Sequence, residues 1–155
     1  MNLKEDLKRI RSIANYQFGK GVGLKLFPEN VKIEYSKRTG RIRYVYLNGE
    51  RLVTLRPTDG LFSLSVAGAK RIVKIAKCVV RVQNDVAEFV AEGKDVFVKH
   101  VVWADENIRP KDEVIVVNEK GDVLAVGRAL LSGEEMKTFR DGVAVKVRRG
   151  CMEES

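Results

Sequence analysis

The basic side chains in the second half of the sequence are the residues best suited to chemistry, and that chemistry is phosphate binding. They stand at the ends of short apolar runs and comprise Lys94, Lys99, Arg109, Lys111, Arg128, Lys146, Arg148 and Arg149. Ammonium and guanidinium groups bind phosphates independently of base sequence and release counterions, so that affinity falls steeply with salt. The pattern predicts a polyanion-binding rim on the fold that the apolar runs form.

The overall charge balance also favours a nucleic acid as partner. The 155 residues include 29 Lys and Arg against 21 Asp and Glu, a formal net charge of +8. Such an excess suits nucleic acid first and an anionic membrane second, the alternative being that the charge only maintains solubility. No run of about 18 apolar residues could span a membrane, and residues 1–6 are charged rather than signal-like. We therefore expect a cytoplasmic protein with no membrane partner.

The high fraction of charged residues gives an indication of the source organism. Charged residues make up 32% of the chain, and only two glutamines occur. A high share of Lys, Arg and Glu with few thermolabile amides resembles the composition of hyperthermophile proteins, in which ion-pair networks gain value with temperature. The composition therefore suggests a hyperthermophilic source.

Catalytic and metal-binding patterns are missing from the sequence. His100 is the one histidine, and its place in an alternating apolar run predicts a half-buried structural residue or a surface residue on a strand. Cys78 and Cys151 form no CxxC pair and cannot complete a four-ligand zinc site with His100; free thiols are expected, with a disulfide as the alternative. Residues 19–23 are glycine-rich, but they lack a preceding strand and the P-loop spacing. We predict no catalytic residue, metal or cofactor.

The first 75 residues are predicted to form an α+β domain. Its helices are expected at residues 3–16 and 65–75, and its strands at residues 31–35, 42–47, 52–55 and 61–64. Ser65 is the expected N-cap of the second helix. Asn48 and Gly49 separate two of the strands, and this dipeptide is the strongest short signal for a β-hairpin. The order predicts a meander sheet between two helices.

Residues 76–150 are predicted to form a β pseudo-barrel with short helices. The strands are expected at residues 76–82, 95–102, 113–118, 123–131 and 143–148. Asn84 should cap a helix through residue 91, with Val86, Phe89 and Val90 inward, and Gly93 should end it in a left-handed turn. A second helix is expected at residues 132–139, with Ser132 as its N-cap. Short apolar runs separated by Gly, Asp, Asn and Pro are typical of a small barrel.

Segments of both halves resemble known RNA-modifying proteins. Residues 93–99, 108–118, 124–129 and 142–148 resemble the PUA domain, the RNA-binding barrel of pseudouridine synthases and archaeosine transglycosylases. Residues 14–19, 38–42 and 55–62 resemble the domain that precedes PUA in archaeosine tRNA-guanine transglycosylase. The resemblance covers nearly the whole chain and implies a structured RNA partner, tRNA, held at the acceptor stem and 3′ end. The catalytic barrel of that family, with its aspartate and zinc, has no counterpart in this sequence.

The resemblance also implies which residues contact RNA. In PUA domains RNA lies against the first helix, the glycine-containing loop after it, the second strand and the later hairpin. The corresponding residues are Gly93, Lys94, Asp95, Val96, Phe97, Lys99 and Arg128, to which the basic last strand adds Lys146, Arg148 and Arg149.

Several of these residues have structural alternatives. Val96 and Phe97 could instead pack in the core, which we favour for Phe97. Arg148 and Arg149 could form a solvated strand end. Trp103 could stack on a base, but closure of one end of the barrel is the favoured role.

The sequence thus predicts a non-catalytic, structured-RNA-binding protein of archaeal tRNA modification. It would be a free-standing module that positions tRNA for a separate catalytic subunit. The alternative is an accessory subunit of an RNA-modification or ribosome-associated complex that binds mainly protein and has weak RNA affinity. A small-molecule enzyme would require a pocket with a strongly perturbed titratable group, and the sequence offers no candidate pair.

Overall fold

In a computed structural model, which describes residues 2–153, the chain divides into two units between Ala76 and Lys77. The first unit contains α1 (Leu3–Phe18), α2 (Val22–Leu26), β1 (Lys32–Tyr35), β2 (Ile42–Leu47), β3 (Glu50–Leu55), β4 (Phe62–Leu64) and α3 (Val66–Ile72). Its four strands form an antiparallel meander in the order β1-β2-β3-β4. The predicted α+β architecture is confirmed for this unit.

Helix α1 packs one face against the first unit's core. The side chain of Asn2 accepts hydrogen bonds from the N–H groups of Lys4 and Glu5 and caps the helix. Ile10, Ala14 and Phe18 follow at a spacing of four residues and are buried, as expected for one stripe of an amphipathic helix. The helix continues two residues beyond its predicted end.

Helix α2 was not predicted, since the sequence indicated a glycine-rich loop there. Gly21 precedes it in a left-handed conformation with φ of 85° and supplies no side-chain cap. Val22 and Leu26 are fully buried. A five-residue helix has little stability of its own, so burial of these two side chains holds it in place.

Gly68 allows α3 to approach β3 closely. Ser65 caps the helix, since its side chain accepts the N–H of Gly68 at 2.9 Å. A Cβ on Gly68 would lie 2.2 Å from the carbonyl oxygen of Leu52. We expect Gly68→Ala to lower the free energy of unfolding by about 2 kcal/mol, since helix and strand must separate. Chemical denaturation would measure this.

A matched substitution separates crowding from backbone strain. Gly60 has φ of +71° and nothing within 4 Å of an added Cβ. Gly60→Ala should therefore cost only the left-handed strain, about 1 kcal/mol. If Gly68→Ala and Gly60→Ala lowered the free energy of unfolding equally, the added Cβ at Gly68 would be accommodated beside Leu52 without cost.

The second unit is a six-stranded, nearly closed barrel. It contains β5 (Val79–Val82), a 3₁₀ turn (Asn84–Val86), α4 (Ala87–Ala91), β6 (Val96–Phe97), a 3₁₀ turn (Val98–His100), β7 (Val101–Ala104), β8 (Glu113–Val117), β9 (Val123–Ala129), α5 (Gly133–Thr138) and β10 (Val143–Gly150). The strand order is β6-β10-β9-β8-β5-β7. All neighbours are antiparallel except β5 and β8, which are parallel. The predicted PUA-like pseudo-barrel is confirmed.

The strand predicted over residues 95–102 is interrupted. Its two parts, β6 and β7, lie at opposite edges of the sheet, and Val98–His100 turn the chain between them. His100 therefore lies on this turn rather than on a strand, half-buried, and its carbonyl accepts the N–H of Gln83 at 3.0 Å. The prediction failed because the alternation of apolar residues continues through a buried Val98.

The helix after β5 also differs from its prediction. Asn84 does not cap it; its side chain accepts the N–H of Glu119 at 3.1 Å, and its own N–H donates to the Glu119 carboxylate at 2.8 Å. Phe89 is not inward but 58% exposed, whereas Val90 is buried. The first turn is a 3₁₀ turn, which rotates the α-helical residues away from the expected face.

Both cysteines are free thiols. Burial raises the pKa of the Cys78 thiol, and the negative charge of Glu113 raises it further. Cys151 is exposed. Within residues 2–153, no three His, Cys, Asp or Glu side chains are grouped to hold a metal ion, and no helix is long and apolar enough to cross a membrane.

Candidate nucleic-acid interface

Gly93 shapes the start of the candidate interface. It follows α4 with φ of 104°, and two hydrogen bonds close the helix: Gly93 N–H to Val90 and Lys94 N–H to Phe89, both 3.0 Å. This pair of bonds is the Schellman motif, which requires a left-handed residue. A Cβ on Gly93 would also lie 2.6 Å from the carboxylate of Glu153. Gly93 thus turns the chain so that Lys94 is exposed at the entry to β6.

Asp95 anchors this loop to the last strand. One carboxylate oxygen accepts the N–H of Val147 at 3.0 Å, and the other lies 3.6 Å from the ammonium of Lys146. The β9–β10 pairing shifts register between Val147 and Arg149, and Asp95 accepts the N–H of Val147 at that irregularity. Its part in the interface is therefore to hold the loop and to orient Lys146, rather than to meet phosphate.

Val96 and Phe97 point to opposite sides of β6. Val96 is opposite Val145, and both are buried in the barrel. Phe97 is 45% exposed, so the expectation that it packs in the core is wrong. Its ring meets the His100 ring edge-on, with centroids 6.4 Å apart and planes at 87°. The pair offers an aromatic surface on which an unpaired base could stack.

Basic residues flank this aromatic pair. Lys99 lies between Phe97 and His100 and is exposed. Arg128 on β9 is directly opposite Lys146 on β10, and both are exposed. Among residues 2–153, the side chain of Arg128 makes no hydrogen bond or ion pair. β6 and the turn after it therefore carry an aromatic pair, and the neighbouring strands β10 and β9 add the cations of Lys146 and Arg128.

Arg148 is committed to a partner inside the same sheet. Its guanidinium donates two hydrogen bonds to the carboxylate of Glu113, one of them from Nη1 to Oε1 at 2.9 Å. The Glu113 side chain is fully buried, and that of Arg148 is 41% exposed. The guanidinium therefore neutralises a buried carboxylate and is less available to a ligand. Arg149 is exposed near the end of β10.

Trp103 is partly covered by a neighbouring arginine. It lies opposite Arg81 in the β5–β7 pair, and the Arg81 guanidinium sits 5.6 Å from the ring centroid. The indole is 41% exposed. Arg81 and Trp103 thus form a cation–π contact, while closure of the barrel end by Trp103 and base stacking on it both stay predictions.

We use the term β6–β10 surface for the exposed residues that the predicted set contributes to this face: Lys94, Phe97, Lys99, Arg128 and Lys146. The predicted set also contains Val96 in the interior, Arg148 in an ion pair, Arg149 near the end of β10, and Gly93 and Asp95, which shape the loop. His100 was missed, since it was expected on a strand. The run Phe97-Val98-Lys99-His100, with aromatic rings three residues apart, is the sequence signal that could have found it.

Comparison with known proteins identifies both units. Residues 8–78 match the model of the patch-forming domain C2 of tRNA-guanine transglycosylase. Residues 79–151 match the PUA domain. The chain is a C2 domain followed by a PUA domain. This confirms the resemblance on which the sequence analysis relied.

Curated relatives and solved structures agree with this assignment. The tRNA-guanine(15) transglycosylase of Methanobrevibacter smithii is 47% identical over 150 residues, which cover 95% of this chain and 23% of that protein. That of Pyrococcus abyssi is 48% identical over 147 residues, covering 93% and 25%. The chain thus spans about a quarter of the length of these relatives. A hypothetical protein of the hyperthermophilic archaeon Pyrococcus horikoshii OT3 superimposes with a TM-score of 0.78 at 28% identity, covering 99% of this chain and 94% of that one.

Proposed function

We propose that this chain binds structured RNA, specifically tRNA, and positions it for chemistry that a separate catalytic component performs. The observation that carries the proposal is the β6–β10 surface of the PUA domain, where the exposed Phe97 ring contacts the half-buried His100 ring and basic residues lie on the same and neighbouring strands. Its relatives act on tRNA by name, and the C2–PUA pair is the part of them that this chain shares. The proposal assigns no chemical step to the chain.

The surface suits a nucleic acid end in which paired and unpaired nucleotides meet. Lys94, Lys99 and Arg128 would hold backbone phosphates, which gives affinity without reading sequence. Phe97 with His100 would stack an unpaired base, an interaction worth about 1–3 kcal/mol per base. Only a single-stranded segment exposes base faces in this way. The acceptor stem and 3′ end of tRNA supply both elements.

The remaining predicted residues have supporting roles in this proposal. Gly93 and Asp95 fix the loop that presents Lys94, and Val96 anchors β6 in the barrel. Lys146 and Arg149 add positive potential along β10, while Arg148 maintains the strand that carries them. Positive potential of this kind raises the rate at which a polyanion associates.

Binding assays with three nucleic acids test the proposal. Mature tRNA, the same tRNA lacking its single-stranded 3′ end and a DNA duplex of similar charge would be titrated at about 50 and 200 mM salt, where phosphate contacts weaken strongly. We expect intact tRNA to bind more tightly than both others, with the preference retained at the higher salt. Equal binding to all three that disappears at the higher salt would overturn the tRNA assignment and leave nonspecific polyanion affinity.

A further inference from the structure

Two turns of the C2 domain lie at the same end of its sheet. In an antiparallel meander, alternate turns lie at the same end of the sheet, which here brings together residues 36–41 and 56–61. The turns have the same hydrogen bonds: the first residue's N–H donates to the sixth residue's carbonyl (2.7 and 2.8 Å), and the glycine N–H donates to the first residue's carbonyl (2.8 and 3.0 Å). Gly40 and Gly60 have nearly equal φ, 72° and 71°. This end of the sheet therefore carries two loops of matching conformation.

A cavity of about 420 Å³ lies at this end of the sheet. Both turns, the strand ends beside them and helix α1 contribute to its wall. Its basic lining consists of Arg9, Arg38, Arg41, Arg43 and Arg56. No acidic residue lines it, so five arginines from several elements border one concave space.

Two of these arginines have partners inside the domain. Arg56 forms an ion pair with Asp59 at 3.0 Å. Burial alone would raise the pKa of the Asp59 carboxyl, but the Leu61 N–H and the Arg56 guanidinium outweigh it and hold that pKa below its usual value. Arg43 donates from Nε to the Tyr44 hydroxyl at 3.0 Å. These contacts fix two of the five guanidinium groups in position.

The other three arginines have no such partner. Within residues 2–153, the side chains of Arg9, Arg38 and Arg41 make no hydrogen bond, ion pair or ring contact. Like charges gathered around a concave surface focus a positive potential in it. A guanidinium presents a planar fork of donors that matches the oxygens of a phosphate bidentately. The cavity therefore has the donors and the charge for an oxyanion.

We propose that this arginine pocket of the C2 domain binds a backbone phosphate of the RNA, as a contact distinct from the β6–β10 surface. The inference rests on the proposed function, because it takes the RNA of that proposal as the molecule that supplies the phosphate. RNA is favoured over a free phosphate because Arg9, Arg38 and Arg41 are all exposed, so that a continuous strand can reach them. Inorganic phosphate shares the chemistry and serves as the probe for the site.

Paired charge reversals test the RNA contact. Arg38→Glu with Arg41→Glu changes the pocket, and Lys70→Glu with Lys74→Glu changes the net charge equally on exposed residues outside it. We expect the pocket variant to bind tRNA at least tenfold more weakly and to lower the salt slope of log K by about one, because the pocket is proposed to hold one phosphate. The control should differ from wild type less than threefold. Both variants should keep the wild-type melting temperature within a few degrees, because the four side chains are exposed.

A phosphate titration tests the pocket without RNA. Inorganic phosphate should shift the Nε–H NMR signals of Arg38 and Arg41 in the wild-type protein while leaving that of Arg51 unchanged. NMR shifts in the wild-type protein, together with an unchanged tRNA affinity in the pocket variant, would show that the pocket binds phosphate but not the RNA backbone. No shift and no change in tRNA affinity would overturn the pocket, while tRNA binding by the wild type would leave the proposed function standing. A wild-type protein that binds no tRNA would overturn the proposed function and this RNA contact together.

Discussion

Arg148→Met is expected to lower the free energy of unfolding by about 3 kcal/mol, because it leaves the carboxylate of Glu113 buried without its counter-charge. Glu113 begins β8, its side chain is fully buried, and two hydrogen bonds from the guanidinium of Arg148 bind it. The value is placed at the low end of the range for buried pairs, since the arginine itself is 41% exposed. Urea or guanidinium unfolding followed by circular dichroism would measure the loss.

Two further variants control this experiment. Arg128→Met removes a basic residue on the same face that has no hydrogen bond or ion pair among the described residues, and it should change stability by no more than about 0.5 kcal/mol. The double variant Glu113→Leu with Arg148→Met replaces the pair with apolar side chains and should recover most of the loss. A double variant as unstable as Arg148→Met alone would contradict the explanation by an uncompensated charge.

Lys94→Glu combined with Lys99→Glu is expected to weaken tRNA binding at least tenfold, which corresponds to about 1.4 kcal/mol. Both lysines are exposed, Lys94 three residues before Phe97 in the chain and Lys99 two residues after it. If each contacts one phosphate, the salt slope of log K should fall by about two. Filter binding or fluorescence anisotropy across a salt series would measure both quantities.

The matched control changes two other lysines of the PUA domain. Lys120 lies in the β8–β9 turn and Lys137 in α5, and both are exposed outside the β6–β10 surface. Lys120→Glu with Lys137→Glu alters the net charge equally and should weaken binding less than threefold. Equal losses in the two double variants would show that net charge alone attracts the RNA. Unchanged affinity in the Lys94 and Lys99 variant would favour an accessory protein with little RNA contact of its own.

Local signals predicted much of the fold correctly. Asn48 and Gly49 form the hairpin between β2 and β3 with φ of 51° and 84°, as their tolerance of positive φ requires. Ser65 caps α3 as expected. Ser132 also caps its helix and forms a reciprocal capping box with Glu135. Each of these features depends on residues close together in the chain, which is why the sequence alone could identify them.

Features that depend on distant contacts were predicted poorly. The turn between β6 and β7 arises because the two strands pair with β10 and β5 at opposite edges of the sheet, and no local residue pattern marks it. The exposure of Phe97 follows from the same arrangement. Helix α2 is held by burial of Val22 and Leu26 rather than by propensity. In each case tertiary packing decided against the local preference.

The residues of the candidate sites also differ in whether local sequence or distant contacts reveal their roles. Lys94 and Lys99 could be found as a basic stretch around the aromatic Phe97. The role of Arg148 could not, because its partner Glu113 is 35 residues away. The arginine pocket was also missed, since its side chains come from helix α1, two separate turns and the strand ends beside them. Residues 38–42 contributed to the resemblance with the domain before PUA but were assigned no part in binding.

The position of β10 in the PUA barrel has a consequence for how the protein is made. β10 lies between β6 and β9, so neither of those strands has this neighbour until residues 143–150 have been synthesised. The C2 strands instead pair with sequence neighbours, and such local pairing closes quickly. On the ribosome the C2 domain should therefore fold first, while β9 keeps an unpaired edge open to nascent-chain aggregation. Ribosome-stalled chains that end near residue 140 should be protease-resistant in their first half and labile in their second.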